Sequence, residues 1–530
     1  MADADPQRRM GGQPMLVLSE DSERTQGEDA QQSNISAGKA VSEAVRTTLG
    51  PRGMDKMLVA DAGDVVITND GATILQEMDI EHPAAEMIVE VAESQEDEVG
   101  DGTTTAAVLA GQLLAKAEDL LEDDVHPTTI VEGYHEAAAV AAEAVKEQTL
   151  DADVDDDLLI QVAESSMTGK GTGGVAAGAL AETVVDAVRH ADRDGRVDRD
   201  AVTVHTRVGA SSTATELIEG IVIDEDPAAD GMPSTVKDAT IAVLDVDLEV
   251  RTGDVDAEYA VDSVDQLDAA MESEERELRG YAETIDDAGV DVVFSSGDID
   301  DRVAAYLAKR GILAFESLSD SDATGIARAT GAGRVGTLDD IEETTFGRVD
   351  RVRTETFGDD DLAFVEGGEA AEAVTLFVRG GTDHVADELE RAVNDSIDVV
   401  TAAIETGGVV PGAGATEIAV ADAVRDAATG TGGRKQLAID AFADAVDVLP
   451  RTLAENTGMD PIDALVDLRA VHDSEGRAGL IAGGQSGEVG DPVEHGIVDP
   501  AAVKQEAVES ATEAATMIAR IDDVISAETT

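Results

Sequence analysis

Apolar residues recur along this chain with two different periods, and the change of period divides it. Near the start, Ile35, Gly38, Val41, Val45 and Leu49 share one face at helical spacing and predict a helix over 34–49. Gly50-Pro51 stops it, because glycine takes the left-handed cap and proline cannot continue a helix. Segments 57–59 and 65–67 flank Asp61-Ala-Gly-Asp64 and read as a β-hairpin. A helix restarts after Asn69-Asp-Gly71, another covers 84–93, and the pattern over 103–121 is strongly helical. Ala-rich helices continue to about residue 150. Residues 1–30 are polar and acidic apart from Pro14-Met-Leu-Val-Leu18, and read as a frayed start with one short strand.

The middle of the chain changes character. Short apolar runs at 221–223, 241–244, 292–294, 312–315 and 374–378 read as strands, with helical stretches between them at 264–288 and 302–310. This alternation predicts an α/β domain at about 227–376. Glycines bracket it: Gly209 and Gly220 before, Gly380-Gly381 and Gly407-Gly408 after. From 386 onward the pattern is mostly helical again. Two helical ends therefore flank an inserted α/β domain, with no internal repeat.

Length and charge narrow the class. A chain of 530 residues suggests three or four domain-sized units. No apolar run reaches the length of about 18 residues that a membrane helix needs, so no membrane insertion is expected. The N-terminus lacks the basic-then-apolar order of a signal peptide, and there is no cysteine for a disulfide or thiolate metal site. A cytoplasmic protein fits best. The net charge is -77, from 114 acidic against 37 basic residues. Adaptation to a very salty cytoplasm explains it, because at about 1 M salt the Debye length is only about 3 Å. The alternative of disorder conflicts with 42% hydrophobic residues arranged periodically. The charge argues against nucleic acid as a partner, and 2% aromatics leave no stacking platform.

Candidate chemistry starts at Val99-Gly-Asp-Gly-Thr-Thr-Thr105. Asp101 and Gly102 open a long predicted helix, where N–H groups are unpaired and the dipole is positive. Gly102 lets a phosphate approach the backbone, and Thr103, Thr104 and Thr105 add hydroxyls. Asp101 is awkward beside phosphate unless a cation bridges the two. An ordinary N-cap explains the same residues. Leu49-Gly-Pro51 and Asn69-Asp70-Gly71 supply two further turns, each unremarkable alone. No G-x-x-x-x-G-K-[ST] occurs. Gly331-Ala-Gly-Arg-Val-Gly336 matches G-x-G-x-x-G literally, but a helix-like stretch precedes it where a strand is required. Asp192-Arg-Asp-Gly195 hints at a calcium loop whose glycine and twelfth residue are wrong, and the eight histidines lack metal spacing. On the predicted helix 386–405, Leu389, Val393, Ile397, Val400 and Ile404 form the apolar stripe; Asp395 lies off it and reads from periodicity as solvated. Lys170, in a chain that mostly uses arginine, suits a phosphate as a point charge and equally suits a surface.

Taken together, the segments resemble the group II chaperonins, the thermosome family of archaea. The likeness runs through Thr47-Thr-Leu-Gly-Pro-Arg-Gly-Met-Asp-Lys-Met-Leu58, Asp64-Val-Val-Ile-Thr-Asn-Asp-Gly-Ala-Thr-Ile-Leu75, Glu98-Val-Gly-Asp-Gly-Thr-Thr-Thr105, Leu376-Phe-Val-Arg-Gly-Gly-Thr382, Val409-Val-Pro-Gly-Ala-Gly-Ala-Thr-Glu417 and Arg520-Ile-Asp-Asp523. It spans essentially the whole chain. The resemblance implies a multidomain α and α/β chaperonin fold, with a mainly helical equatorial domain from 1–157 and 411–530. It also implies an intermediate domain from 158–226 and 377–410, and an apical client-binding domain at 227–376 with a helical lid at about 250–282. The implied function is an ATP-dependent chaperone subunit that encloses unfolded proteins in two stacked rings of like or paralogous subunits.

The implied cofactors are ATP and Mg²⁺, with K⁺ as a further cation. By motif, Leu49, Gly50 and Pro51 would line the nucleotide and Asp101 would hold Mg²⁺. Gly102, Thr103, Thr104 and Thr105 would cradle the phosphates, and Gly71 would belong to the nucleotide-binding set. Asp70 and Asp395 would orient or deprotonate the attacking water, and Lys170 would sense the γ-phosphate. Gly412 and Gly414 would pass the ribose and Asp499 would contact the nucleoside. This context reverses the solvated reading of Asp395. The chain departs from the family at Ala413, which replaces a glycine, at Gly171-Thr-Gly-Gly174 after the lysine, and in ending without a Gly/Met-rich tail. Acids also replace basic residues common in the family's apical domain, as at Asp224-Glu-Asp226, which leaves client preference open. Two other readings remain: a low-turnover ATP-binding holdase or scaffold in a mixed ring, and a stand-alone metal-dependent phosphohydrolase.

Overall fold

The computed structural model describes residues 23–526 except 60–64, 153, 171–176, 210, 212–213, 251–263, 359, 369–372 and 484–486. The expected strand at 14–18, the hairpin turn at 61–64, the glycine run 171–174 and 251–263 of the expected lid lie outside the described residues.

Both ends of the chain build one helical core. The helices Glu28–Val45, Pro83–Val99, Thr103–Glu122 and Pro127–Glu147 pack with Ala415–Thr429, Arg434–Val446 and Ala501–Ala519. Their buried faces are dominated by alanine, valine, leucine and isoleucine, with Tyr134 against Phe442 as an edge-on aromatic pair. Small side chains let helices approach closely: a Cβ on Gly111 would lie 2.2 Å from Ser42 Cβ. The strand Glu23–Gln26 pairs antiparallel with Asp523–Ser526 and ties the two ends together.

A second core joins the helices Asp156–Met167, Ala177–Ala191 and Asp383–Thr406 to a three-stranded sheet. In that sheet Val374–Gly380 lies between Val202–Val208, parallel, and Glu216–Ile218, antiparallel. A seven-stranded mixed sheet forms the third body, around Phe294, Phe315 and Val352. Its strand Thr235–Leu244 pairs antiparallel with Gly347–Phe357 and parallel with Val292–Ser295. The strands expected in the middle of the chain are all present, but one of them lies in a different sheet from the rest. Gly220–Ile223 joins the seven-stranded sheet through Asp360–Gly368, whereas Val374–Gly380 does not belong to it. The helix Asp320–Thr330 ends at Gly331, so the glycine motif at 331–336 follows a helix and cannot be a dinucleotide turn.

Candidate functional site

A cavity of about 480 Å³ opens where the first core meets the end of the helix Asp156–Met167, a size suited to a small-molecule ligand. One wall is the start of the helix Thr103–Glu122. Gly102 precedes that helix with a φ of 82°, and no side chain caps it. The first-turn N–H groups therefore lack intrahelical acceptors, and the positive end of the helix dipole stands in the wall. A Cβ on Gly102 would lie 2.9 Å from Val503 Cγ1 and 3.0 Å from Gln95 Nε2, so close approach and positive φ both demand glycine. Gln95 is fully buried and donates from Nε2 to the carbonyls of Asp101 (2.7 Å) and Val503 (3.1 Å). It pins the Asp101 turn to the last helix.

The neighbouring turns are knitted to this one. Asp70 caps the short helix Gly71–Gln76: Oδ2 accepts from the Thr73 N–H at 2.7 Å, and Oδ1 accepts from Thr103 Oγ1 at 3.1 Å. Thr104 Oγ1 lies 3.3 Å from Thr48 Oγ1. Two of the three threonine hydroxyls thus hold turns together, and the backbone N–H groups are the freer donors. A Cβ on Gly71 would lie 2.5 Å from Thr104 Oγ1, so this glycine permits the contact between the Asp70 and Thr103 turns. Asn69 Nδ2 donates to the Gly169 carbonyl at 2.7 Å and brings the Lys170 turn alongside.

Lys170 and Asp395 meet here from different parts of the chain. The Lys170 ammonium contacts Asp395 Oδ2 and lies 4.0 Å from Asp101 Oδ1; its side chain is 15% exposed and that of Asp395 14%. Burial pushes the Asp395 carboxyl up to about 7 against the pull of Lys170, and the charges of Asp70 and Asp101 add to the rise. Burial disfavours the Lys170 ammonium, but Asp395 and then Asp101 outweigh it and hold its pKa above the ordinary lysine value. Burial also raises Glu96 to about 7, with Asp70 reinforcing it. The solvated reading of Asp395 from periodicity is thus corrected. The residue lies off the stripe of its own helix, and Lys170 covers it from another element.

The opposite end of the cavity is built by the C-terminal part of the chain. Val409–Pro411 pairs antiparallel with Val498–Pro500, placing Asp499 opposite Val410. Gly414, with a φ of 83°, starts the helix Ala415–Thr429. Asn456 Nδ2 donates to the Leu49 carbonyl at 2.9 Å and fixes the Gly50-Pro51 turn. Ala413 has a φ of 56°, a left-handed conformation that costs an L-residue roughly 1 kcal/mol. Ala413→Gly is accordingly expected to stabilise the protein by about 0.5–1 kcal/mol. Denaturant midpoints measured in molar KCl check this; a lower midpoint for the variant would contradict it.

All the residues singled out from the sequence line the cavity except Gly71, Asp395 and Gly412, which stand just outside its lining. Sequence reasoning missed Asn69, Gln95, Glu417 and Lys504. Lysine rarity could have found the last: Lys504 is one of nine lysines, placed in the first turn of a helix where the dipole disfavours a cation. Nothing in its own helix marks Gln95, whose role comes from the Asp101 carbonyl in the following turn and the distant Val503 carbonyl.

The sequence profile of the TCP-1/cpn60 chaperonin family matches residues 41–529. Thermosome subunit 3 of Haloferax volcanii is 67% identical over 97% of this chain and 99% of its own length. Thermosome subunit alpha of Halobacterium salinarum is 52% identical, over 98% of this chain and 92% of that protein. A thermosome subunit of Methanopyrus kandleri is 51% identical over 97% and 95%.

Proposed function

We propose, from the premise that this chain belongs to the TCP-1/cpn60 chaperonin family, that the cavity binds ATP with its phosphates on the Thr103 helix start and its nucleoside toward Asp499. The chain is an ATP-dependent chaperonin subunit, and its enzymatic activity is ATP hydrolysis. The convergence of Lys170, Asp101 and Asp395 beside an uncapped helix N-terminus carries the placement. That corner combines bare N–H donors, one ammonium and carboxylates, which suits a reaction that is mostly positioning and charge neutralisation.

Among the described residues, no group of three or more His, Cys, Asp or Glu side chains forms a ready metal cage. Mg²⁺ does not need one, because it takes one or two carboxylates and completes its shell with phosphate oxygens and water. Asp101 fits that role, and the ion would neutralise phosphate charge. Lys170 is the movable partner. Its ammonium serves Asp395 and Asp101 in this structure, and a γ-phosphate would compete for it. Drawing Lys170 away exposes the Asp395 carboxylate to accept a proton from an attacking water, the task its raised pKa suits. Asp70, held by Thr73 and Thr103, orients the same region.

The first core is the equatorial domain, the second the intermediate domain and the seven-stranded body the apical client-binding domain. Ring assembly is supported by apolar residues left exposed near strand edges. Met54, Met57 and Val59 are 67%, 65% and 66% exposed at the hairpin Lys56–Val59/Val65–Thr68, and Ile525 is 50% exposed on Asp523–Ser526. A neighbouring subunit adding strands would cover such edges. No described helix is long and apolar enough to cross a membrane. Two measurements in molar KCl test the reading. Chelating divalent metal should abolish hydrolysis, with recovery on adding Mg²⁺, and native mass should approach a megadalton. Metal-independent turnover or a monomer would contradict it.

A further inference from the structure

The nucleoside end of the cavity contains a buried lysine that the phosphate chemistry does not use. The Lys504 side chain is 15% exposed, and its Nζ lies 2.8 Å from Glu417 Oε1 and 2.8 Å from Asp499 Oδ2. Burial disfavours this ammonium, but Asp499 and then Glu417 outweigh it and hold its pKa above the ordinary lysine value. A buried bridge of this kind is a weak source of stability, because desolvation offsets most of its attraction. Apolar side chains would join the starts of the helices Ala415–Thr429 and Ala501–Ala519 at least as well.

The two carboxylates differ in what they present. Glu417 is 6% exposed, and its Oε2 is buried with no hydrogen-bond partner among the described residues. The Asp499 side chain is 24% exposed and lines the cavity. Lys504 holds its Oδ2, and Oδ1 has no partner among the described residues. The backbone behind Asp499 is also fixed. The Gly412 N–H donates to the Ile497 carbonyl at 3.0 Å, and a Cβ on Gly412 would come within 3.2 Å of Asp499 Oδ2. The result is a carboxylate locked at one oxygen and open at the other. A group already immobilised loses less freedom when a ligand hydroxyl binds it.

We propose that Lys504, anchored by Glu417, is a positioning residue that aims the Asp499 carboxylate at the vicinal diol of a ribose and so makes the site selective for ribonucleotides. This rests on the nucleotide reading above. The lysine touches no reacting atom; it acts through Asp499.

Binding of ATP and of 2′,3′-dideoxy-ATP to the assembled protein, measured calorimetrically with Mg²⁺ in molar KCl, tests this. Wild type is expected to bind ATP about tenfold or more tightly than the dideoxy analogue, the range for a hydroxyl bonded to a charged acceptor. Lys504→Met should bring that ratio to within about twofold while leaving dideoxy-ATP affinity nearly unchanged. A merely structural lysine would weaken both nucleotides together and keep the ratio, which would overturn the inference. If Lys504→Met does not assemble, Glu417→Gln, which retains the lysine, gives the answer: a reduced ratio supports the anchoring role and an unchanged ratio overturns it. Wild type that binds ATP without preferring it over the analogue defeats only the inference. Wild type that binds neither defeats the nucleotide reading as well.

Discussion

Asp395→Asn is expected to lower the single-turnover rate of ATP hydrolysis by about 100-fold or more while changing ATP affinity by no more than a few-fold. The substitution keeps the size of the side chain and removes its ability to take a proton. Asp395 stands just outside the cavity lining, so it contributes little to ground-state contacts. Lys170 retains Asp101 nearby, so the ammonium stays in place and phosphate binding survives. The wild-type pH profile should agree. Burial raises the pKa of this carboxyl and Lys170 lowers it, so the departure of Lys170 raises it further in the working state, and the rate climbs as pH increases from below 7 upward. A variant within threefold of wild type, or a rate flat from pH 5.5 to 8, would remove Asp395 from the chemistry.

Salt is expected to have the other large effect. With 114 acidic and 37 basic residues, most carboxylates cannot find a positive partner, whatever the fold. Lowering KCl from about 1 M to about 0.1 M lengthens the Debye length from about 3 Å to about 10 Å, so neighbouring surface carboxylates begin to repel one another. The compact state suffers more than the expanded one. A loss of about 5 kcal/mol in each domain-sized unit, comparable with the whole stability of many domains, would lower the unfolding midpoint by about 10 °C or more. Calorimetry across that salt range measures it directly. Equal midpoints at both concentrations would show that the acidic surface is not tuned to salt. The resemblance to subunits from Haloferax and Halobacterium accords with a protein made for molar salt.

What could be read from the sequence was what is local. The turn at Asp101 announces itself because glycine, hydroxyls and a helix start are adjacent in the chain. Helices of the first core such as Glu28–Val45 and Pro83–Val99 are legible because each buries one periodic stripe, whereas Thr103–Glu122 and Ala415–Thr429 are buried nearly all round. Asp395 shows where this fails: helical periodicity reports which face packs on the helix's own core, and Lys170 arrives from outside that core. Lys504 and Gln95 are similar, since each has one partner far away in sequence, Glu417 and the Val503 carbonyl. The strands Gly347–Phe357 and Asp360–Gly368 escaped notice for another reason. Arg351, Arg353, Glu355 and Glu366 interrupt their apolar positions, and burial along Gly347–Phe357 changes phase between Val349 and Val352, where Asp350 and Arg351 are both exposed, so the alternation of two is broken. Assembly of the cavity from both ends of the chain became legible only through the family likeness.

The most direct test is a structure of the assembled particle in molar KCl with Mg²⁺ and a non-hydrolysable ATP analogue. The predicted result is one nucleotide per subunit, with its phosphates on the N–H groups of Gly102 to Thr105 and its metal on Asp101. Lys170 should have moved toward the γ-phosphate, and the ribose should lie at Asp499. A nucleotide bound elsewhere, or a cavity that stays empty while the particle hydrolyses ATP, would contradict the account.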